Sequence, residues 1–421
     1  MTAFRRSVTT VTFVALFAWP RAAAAAVEQD VHGMLSLRLL AVDGADSWVD
    51  GGLGKLRFDD DDEPLALGAA HVAYRARLLP TLQLRAAASA YGDGPGSLVD
   101  LDEAYLELRP VPRSAWRLLA RGGAFHAPFS LENTGLGWTS PYTLSYSALN
   151  GWFGEELRTI GVELQATHEG APSGSAHDLG VLLGAFRAND PAGALLTWRG
   201  WAIGDRSTRL FERLPLAPLP AFGADGLFFV QEAFEEPFHE MDGRTGWYAG
   251  VQWDYLERSR LRLQRYDNNG DALVARHGQW VWRTEFDHLG WHLRLPSGSE
   301  AIAQWIEGET EMDGFDQPFV YADFGAWFVL LSHGWGRQRA SLRYDDFWVD
   351  DEDAIAGDPN DEDGHAWTAA WFLDGRRGRW GGWRLGVEAL RVESWRPARE
   401  ILGERARRRE ESLQLVGEWR F

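Results

Sequence analysis

The chain has 421 residues, no cysteine, 22 tryptophans and a formal net charge of −19. The missing cysteines exclude a disulfide framework, and strong acidity without a readable basic patch excludes nucleic acid as a partner. After the N-terminal apolar run, no stretch approaches the roughly 18 apolar residues of a spanning helix, so any membrane is crossed by strands.

At the N-terminus, Arg5 and Arg6 precede an apolar run from Val8 to Trp19, then Pro20 and the small residues Ala22 to Ala26. This pattern predicts a secretory signal peptide over residues 1–26. Its removal takes Arg5, Arg6 and Arg21 and moves the net charge to about −22. No linker or low-complexity segment divides residues 27–421, which read as one closed object.

Period-two segments then recur in chain order. Ala104, Leu106 and Leu108 alternate with Glu103, Tyr105, Glu107 and Arg109, and Trp116, Leu118 and Ala120 with Arg117, Leu119 and Arg121. Trp247, Ala249, Val251, Trp253 and Tyr255 share a face, and Trp280, Trp282, Thr284 and Phe286 oppose Val281, Arg283 and Glu285. Trp367, Ala369, Trp371 and Leu373 form another greasy face, and Trp383, Leu385, Val387 and Ala389 oppose Arg384, Gly386 and Glu388. The last segment sets Leu413, Leu415, Gly417, Trp419 and Phe421 against Ser412, Gln414, Val416, Glu418 and Arg420. Apolar faces that begin or end in aromatic rings suit a lipid-facing barrel wall with a girdle at each interface.

The fold class predicted is all-β: a single transmembrane antiparallel β-barrel with short periplasmic turns and long extracellular loops. Sixteen strands are expected, near 31–41, 65–78, 81–91, 99–109, 115–125, 157–168, 178–188, 246–256, 259–268, 278–293, 299–310, 319–332, 338–349, 365–374, 381–393 and 409–421. Ala192 to Ala202 and Leu227 to Ala233 are ambiguous, and counting both gives 18, which also satisfies the even parity of such barrels. The long acidic connectors Asp43 to Glu63, His126 to Glu156, Asn189 to Gly246, Asp350 to Gly364 and Trp395 to Glu410 are assigned to the outside.

The run Arg121-Gly-Gly-Ala-Phe-His-Ala-Pro-Phe-Ser-Leu-Glu132 resembles a stretch of the porin O and porin P family of phosphate-selective and related outer-membrane porins. Asp102-Glu-Ala-Tyr-Leu-Glu-Leu108 before it and Arg158-Thr-Ile-Gly-Val162 after it fit as well. The resemblance, strongest over residues 99–165, implies a 16-stranded homotrimeric channel in the bacterial outer membrane, narrowed by the loop after the fifth strand. That loop is here 126–156, with His126, Phe129, Glu132, Glu155 and Glu156 as constriction residues. Phosphate selectivity does not carry over, because phosphate-selective members use lysines at the constriction and Lys55 is the one lysine of this chain.

A passive channel needs a polar lining rather than a nucleophile. The inward candidates are Arg75, Arg77, Arg85, Arg117, Arg121, Arg158, Arg283, Arg343 and Arg384, with Glu103, Glu107 and Asp345 as carboxylates able to pair them. They form a structural ladder, an anion-attracting path, or, if carboxylates are in surplus, a cation-preferring one. Arg265 with Asp267 and Arg343 with Asp345 place opposite charges two apart; the first pair reaches the lumen only through a bulge, since Leu261 and Leu263 share its parity.

No Gly-x-Ser-x-Gly elbow, His-Glu-x-x-His or cysteine nucleophile points to an enzyme, and no cofactor or metal is expected. The expected partners are outer-membrane lipid, lipopolysaccharide and small polar or anionic solutes. The reading is a porin-like channel for passive diffusion. The alternative is a plugged barrel acting as a surface binding or anchoring protein.

Overall fold

A computed structural model describes residues 27–313, 318–353, 355, 357–376, 378–379 and 381–421; the leader read over residues 1–26 lies outside them. Sixteen antiparallel strands close into one barrel. They are β1 (Glu28–Asp43), β2 (Leu65–Leu79), β3 (Leu82–Ala90), β4 (Val99–Leu108), β5 (Trp116–Phe125), β6 (Thr159–His168), β7 (His177–Arg187) and β8 (Gly246–Tyr255). The second half comprises β9 (Ser259–Asp267), β10 (Arg283–Arg294), β11 (Ser299–Asp313), β12 (Pro318–Trp335), β13 (Gln338–Asp351), β14 (Glu362–Asp374), β15 (Gly382–Trp395) and β16 (Arg407–Arg420).

Each strand pairs with the next, and β16 returns to β1 from Met34 opposite Arg420 to Asp43 opposite Glu411. Beyond β16, Phe421 and Gly33 exchange backbone hydrogen bonds of 3.1 and 3.0 Å, and a Cβ on Gly33 would overlap the Phe421 ring. A larger residue at position 33 would turn the Phe421 ring out of its present place. Neither ambiguous segment adds a wall strand. Part of one is a short helix inside the barrel (Ala194–Trp198), and Leu227 to Ala233 lies in the loop of a ribbon pairing Leu214–Pro215 with Phe234–Glu235.

The greasy faces point outward. Leu413, Leu415 and Trp419 are 48, 50 and 45% exposed, and Trp383, Leu385, Trp367, Val251 and Leu183 are likewise exposed. On β12 the outward residues run from Trp327 to Trp335. Those eight steps make about 27 Å of strand, or about 20 Å along the axis at a tilt of about 40°, close to the apolar height of an outer membrane. In a soluble protein so many large apolar side chains at half exposure would be unsolvated surface; here acyl chains cover them.

Above this band the wall inverts its polarity. On β13, Leu342 and Tyr344 face out below, then Asp346 and Asp350, while Ser341, Arg343 and Asp345 face in below, then Phe347 and Val349. The same inversion on β10 and β11 turns Phe286 and Ile306 inward and Asp287 and Glu307 outward. Two expectations are corrected by it. Trp282, Thr284 and Phe286 are buried inside, not set in a lipid-facing row, and Arg283 is an outer residue, paired with Glu311 on the neighbouring strand. The bulge proposed near Arg265 does not form: β9 pairs both neighbours without a break, and Arg265 lies outside on Glu285 (2.6 Å) and Asp287 (3.1 Å).

Short turns connect the strands at one end, and the longest connections lie at the other. The long segments are less external than expected. In the first, Trp48, Leu53, Leu56 and Phe58 are at most 3% exposed, and in the segment after β7, Ala192 to Thr208 is buried throughout with Trp198 and Trp201 at 1%. Their apolar side chains each gain about 1.5–3 kcal/mol by leaving water, and the lumen is the one place that accepts them. Substituting Leu415 by arginine is expected to cost about 2–4 kcal/mol in vesicles, read as a lowered denaturant midpoint. A change within about 0.5 kcal/mol would mark the site as water-facing instead.

Candidate functional site

The segment between β5 and β6, residues 126–158, turns into the lumen. Phe129 packs among Phe286 and Phe153, both with ring centroids at 5.3 Å, and Tyr248 at 5.6 Å. A nine-residue helix, α1 (Ala148–Glu156), follows, its N-terminus capped by Ser147 Oγ, which accepts from Asn150 N at 3.2 Å. Every residue of α1 is buried, its polar Asn150, Glu155 and Glu156 included.

Charge fixes this segment to the far wall. Arg343 on β13 donates to Glu132 (2.8 Å), Asp345 (2.7 Å) and the carbonyl oxygens of Ser145 (2.6 Å) and Tyr146 (2.8 Å). Glu388 on β15 accepts from Leu144 N (2.6 Å) and Ser145 N (3.0 Å). A second inward segment, after β7, carries α2 (Ala194–Trp198). Glu156 accepts from Leu195 N (2.9 Å) and Gly193 N (3.1 Å) and so joins it to α1. Arg199 pairs with Glu155, and Asp205 holds Arg38 of β1 and Arg57 of the first inward segment. Lys55 pairs with Glu362 at 2.6 Å, and Arg396 shares that carboxylate at 3.1 Å.

The three segments close the barrel. At mid-height, Ser36, Glu163, Gln264, Gln304, Arg343 and Gln414, on six strands around the circumference, are at most 6% exposed. A water-filled path past them would wet them. From there toward the extracellular end the segments pack a dry core of Trp152, Phe153, Phe286, Phe324, Phe347 and their neighbours inside the lumen.

Below the plug lies a vestibule open to the short-turn end. Arg75 pairs there with Asp30, Arg77 with Glu28 (2.6 Å), Arg117 with Glu169 (2.6 Å) and Arg384 with Asp374 (2.7 Å). The Arg75, Arg77 and Arg117 side chains are 43–48% exposed. Glu107 takes both Arg85 (3.0 Å) and Arg109 (2.8 Å); Glu300 takes Arg339 (3.0 Å), His292 (2.9 Å) and Arg294 (3.5 Å). Arg262 faces neutral acceptors, Gln252 Oε1 (2.7 Å) and Pro128 O (2.5 Å).

The residues singled out in the sequence thus fall into three places. Arg75, Arg77, Arg85, Arg117, Arg384 and Glu107 belong to the vestibule wall. Arg121, on Glu163 (2.5 Å), stands at the level of the plug's lower face, as does Glu103, which accepts from His126 N (2.8 Å). Arg158, Arg343, Asp345, His126, Phe129, Glu132, Glu155 and Glu156 are buried in the plug or against it. Arg283, like Arg265, lies outside the barrel. Among the described residues, no carboxylate lies within ion-pair distance of Arg158. It donates to Thr208 O (2.5 Å), lies by His126 Nε2 (2.9 Å) and under the Phe238 ring, and burial lowers its pKa to about 10. His126 in turn stacks on Trp138 at 4.7 Å.

Sequence reasoning missed the plug's own cations, Arg57, Arg199, Arg206, Arg209, Arg396 and Arg399. The available signal was the arginine density of the loops, higher than solvated loops require. It also missed His71, Ser89 and Asp102, which meet on the inner wall. Ser89 Oγ stands between His71 Nδ1 (2.6 Å) and Asp102, an order that leaves the serine no base oriented by the acid. Asp190, Glu240 and Asp242 bring three carboxylates within 4.8 Å, but each already accepts backbone N–H groups.

No family model matches this chain, and no curated protein matches it in sequence. Solved structures match it in fold. The outer-membrane channel DcaP of Acinetobacter baumannii aligns at TM-score 0.52 and 10% identity, over 94% of this chain and 97% of that one. OmpT of Vibrio cholerae, an outer-membrane protein in its trimer form, aligns at 0.51 and 9% over 94 and 100%. An anion-selective porin from Comamonas acidovorans aligns at 0.49 and 10% over 94 and 100%. The chain is an outer-membrane β-barrel of porin architecture.

Replacing Arg343 by leucine leaves Glu132, Asp345 and Glu388 buried without their cation, a loss of about 3–5 kcal/mol in seating the plug. Hydrogen exchange of residues 143–156 is expected to rise sharply while exchange in the strands stays slow.

Proposed function

We propose that the protein is a passive outer-membrane channel for small polar or ionic solutes, anion-preferring at its periplasmic mouth and closed by its own loops. The observation that carries the anion preference is the sharing of carboxylates in the vestibule. Glu107 serves two arginines, Glu300 serves two arginines and a histidine, and Arg262 has no carboxylate. In a narrow passage of low dielectric such unmatched cations favour anions, even though the whole chain is acidic. Most of the negative charge is elsewhere, on the outer collar and the extracellular segments. The resemblance to porin O and porin P, and a fold neighbour described as a trimer, support a homotrimer. The apolar band supports acyl chains as the surrounding medium, with lipopolysaccharide headgroups level with the charged collar.

A second reading is favoured by the burial of mid-height residues on six of the strands: a permanently plugged barrel whose extracellular segments bind a surface partner. Planar bilayers separate the two. The channel reading expects discrete conductance steps and a reversal potential on the anion side in a potassium chloride gradient. Arg85→Glu combined with Arg339→Glu should move that potential toward the cation side. Sustained silence of inserted, folded protein would favour the plugged barrel.

A further inference from the structure

We propose that the plug is held by protons: the carboxyls of Glu156 and Glu235, enclosed where the two inward segments meet and lacking cations of their own, keep the lumen shut while neutral and release it when ionised. The inference rests on the reading of the barrel as a closed channel.

Both side chains are buried, Glu156 at 0% and Glu235 at 1%. Many other carboxylates of the plug are ion-paired, while Asp190 and Asp358 are held by backbone or amide N–H groups. Glu132 has Arg343, Glu155 has Arg199, Asp205 has Arg38 and Arg57, and Glu212 has Arg206 and Arg209. Glu156 instead accepts only neutral donors: Leu195 N, Gly193 N and Trp152 Nε1. Glu235 has a long contact from Gln231 Nε2 (3.4 Å), and its Oε1 has no hydrogen-bond partner. An ionised carboxylate in that setting is expensive, whereas a protonated one carries its own donor.

The surrounding charges offer little relief. On α1, Glu155 is already taken by Arg199, whose charge also reaches Glu156. Facing Glu156 from the β9 wall is Tyr266, whose hydroxyl bonds Asn189. Glu235 faces Glu156 across the joint and adjoins Glu236, which is held by Arg213 and stands 3.4 Å from His239. Burial first, then this repulsion, holds Glu235 well above the usual carboxylate range, and burial pushes Glu156 up to about 7.

The sign follows from linkage. In released, hydrated segments both groups return to about 4.3. The docked state therefore binds more protons, its advantage is complete below the ordinary carboxylate range, and it is lost as pH rises through about 7. Each group makes escape about tenfold easier per pH unit between its released and its docked value, and adds nothing further once it is ionised in both states. Closure at acid pH and opening at alkaline pH result.

The absence of cysteine makes the test direct. Ala194, buried in α2, is replaced by cysteine in one variant, and Ser297, on an exposed periplasmic turn, in a reference variant. Maleimide labelling of folded protein in liposomes is followed from pH 5.5 to 9, and the ratio of the two rates removes the thiol's own titration. The expected ratio climbs about tenfold or more between pH 5.5 and about 7. With Glu156→Gln and Glu235→Gln added it should stay low and flat. A flat wild-type ratio, or an equal climb in the glutamine variant, overturns the inference. Bilayer recordings on the same protein keep the two readings apart. Conductance at every pH with flat labelling refutes proton control and leaves the channel; pH-dependent labelling with a silent bilayer upholds proton control and refutes the channel.

Discussion

Hydrocarbon cannot hydrogen-bond a peptide group, and that constraint governs everything else in this molecule. A sheet in lipid must pair every N–H and C=O within the wall, so it must close. Closure between β1 and β16, finished by Phe421 against Gly33, divides the side chains into two populations that never mix. One must be greasy for about the height of the membrane. The other is free to be polar, and has to be satisfied either by water or by more of the same chain.

This chain uses both solutions, one above the other. The lower lumen is hydrated, and its arginine–carboxylate pairs are weak, exposed and shared. The upper lumen is filled by polypeptide, and there the same residue types become expensive. A guanidinium such as Arg343 at 0% exposure is tolerable only because two carboxylates and two backbone carbonyls receive it. Buried pairs of this kind contribute less to net stability than to position. They fix the turn 143–147 against β13 and β15, and no hydrophobic contact alone has that directional demand.

The strand count and the closed barrel were legible because a period of two survives any local noise. The faces from Ala104 to Leu108, in Trp247 to Tyr255 and in the closing strand point where their periodicity placed them. What was not legible is height. Periodicity says that two faces differ, and it does not say which is wet. On β10 the greasy row Trp282, Thr284 and Phe286 looks inward, because above the lipid the plug is the apolar phase and the exterior is water. Arg283 was misread for the same reason, and so was the Arg265 pair. The tryptophans divide likewise. Trp383 and Trp419 belong to the girdle, whereas Trp48, Trp152, Trp198, Trp201 and Trp282 form a dry centre that composition cannot tell from it. Loop length, too, was read as exposure, although buried leucine and tryptophan in the first and fourth extracellular segments required a place to go.

The plug also explains why an acidic protein keeps an arginine-rich interior. Three segments entering from the extracellular end bring carboxylates with them, and each carboxylate needs a partner before it can leave water. Arginine supplies up to five donors, so one side chain can serve several acceptors at once, as Arg57 serves Asp93, Asp205 and the Gly68 carbonyl. Two carboxyls left over at the joint between segments are then the weak point of the assembly. They cost little while they hold protons and a great deal without them. A structure that ion-pairs many of its buried carboxylates and leaves these two without a cation at a joint between segments has placed its pH sensitivity where the moving parts meet.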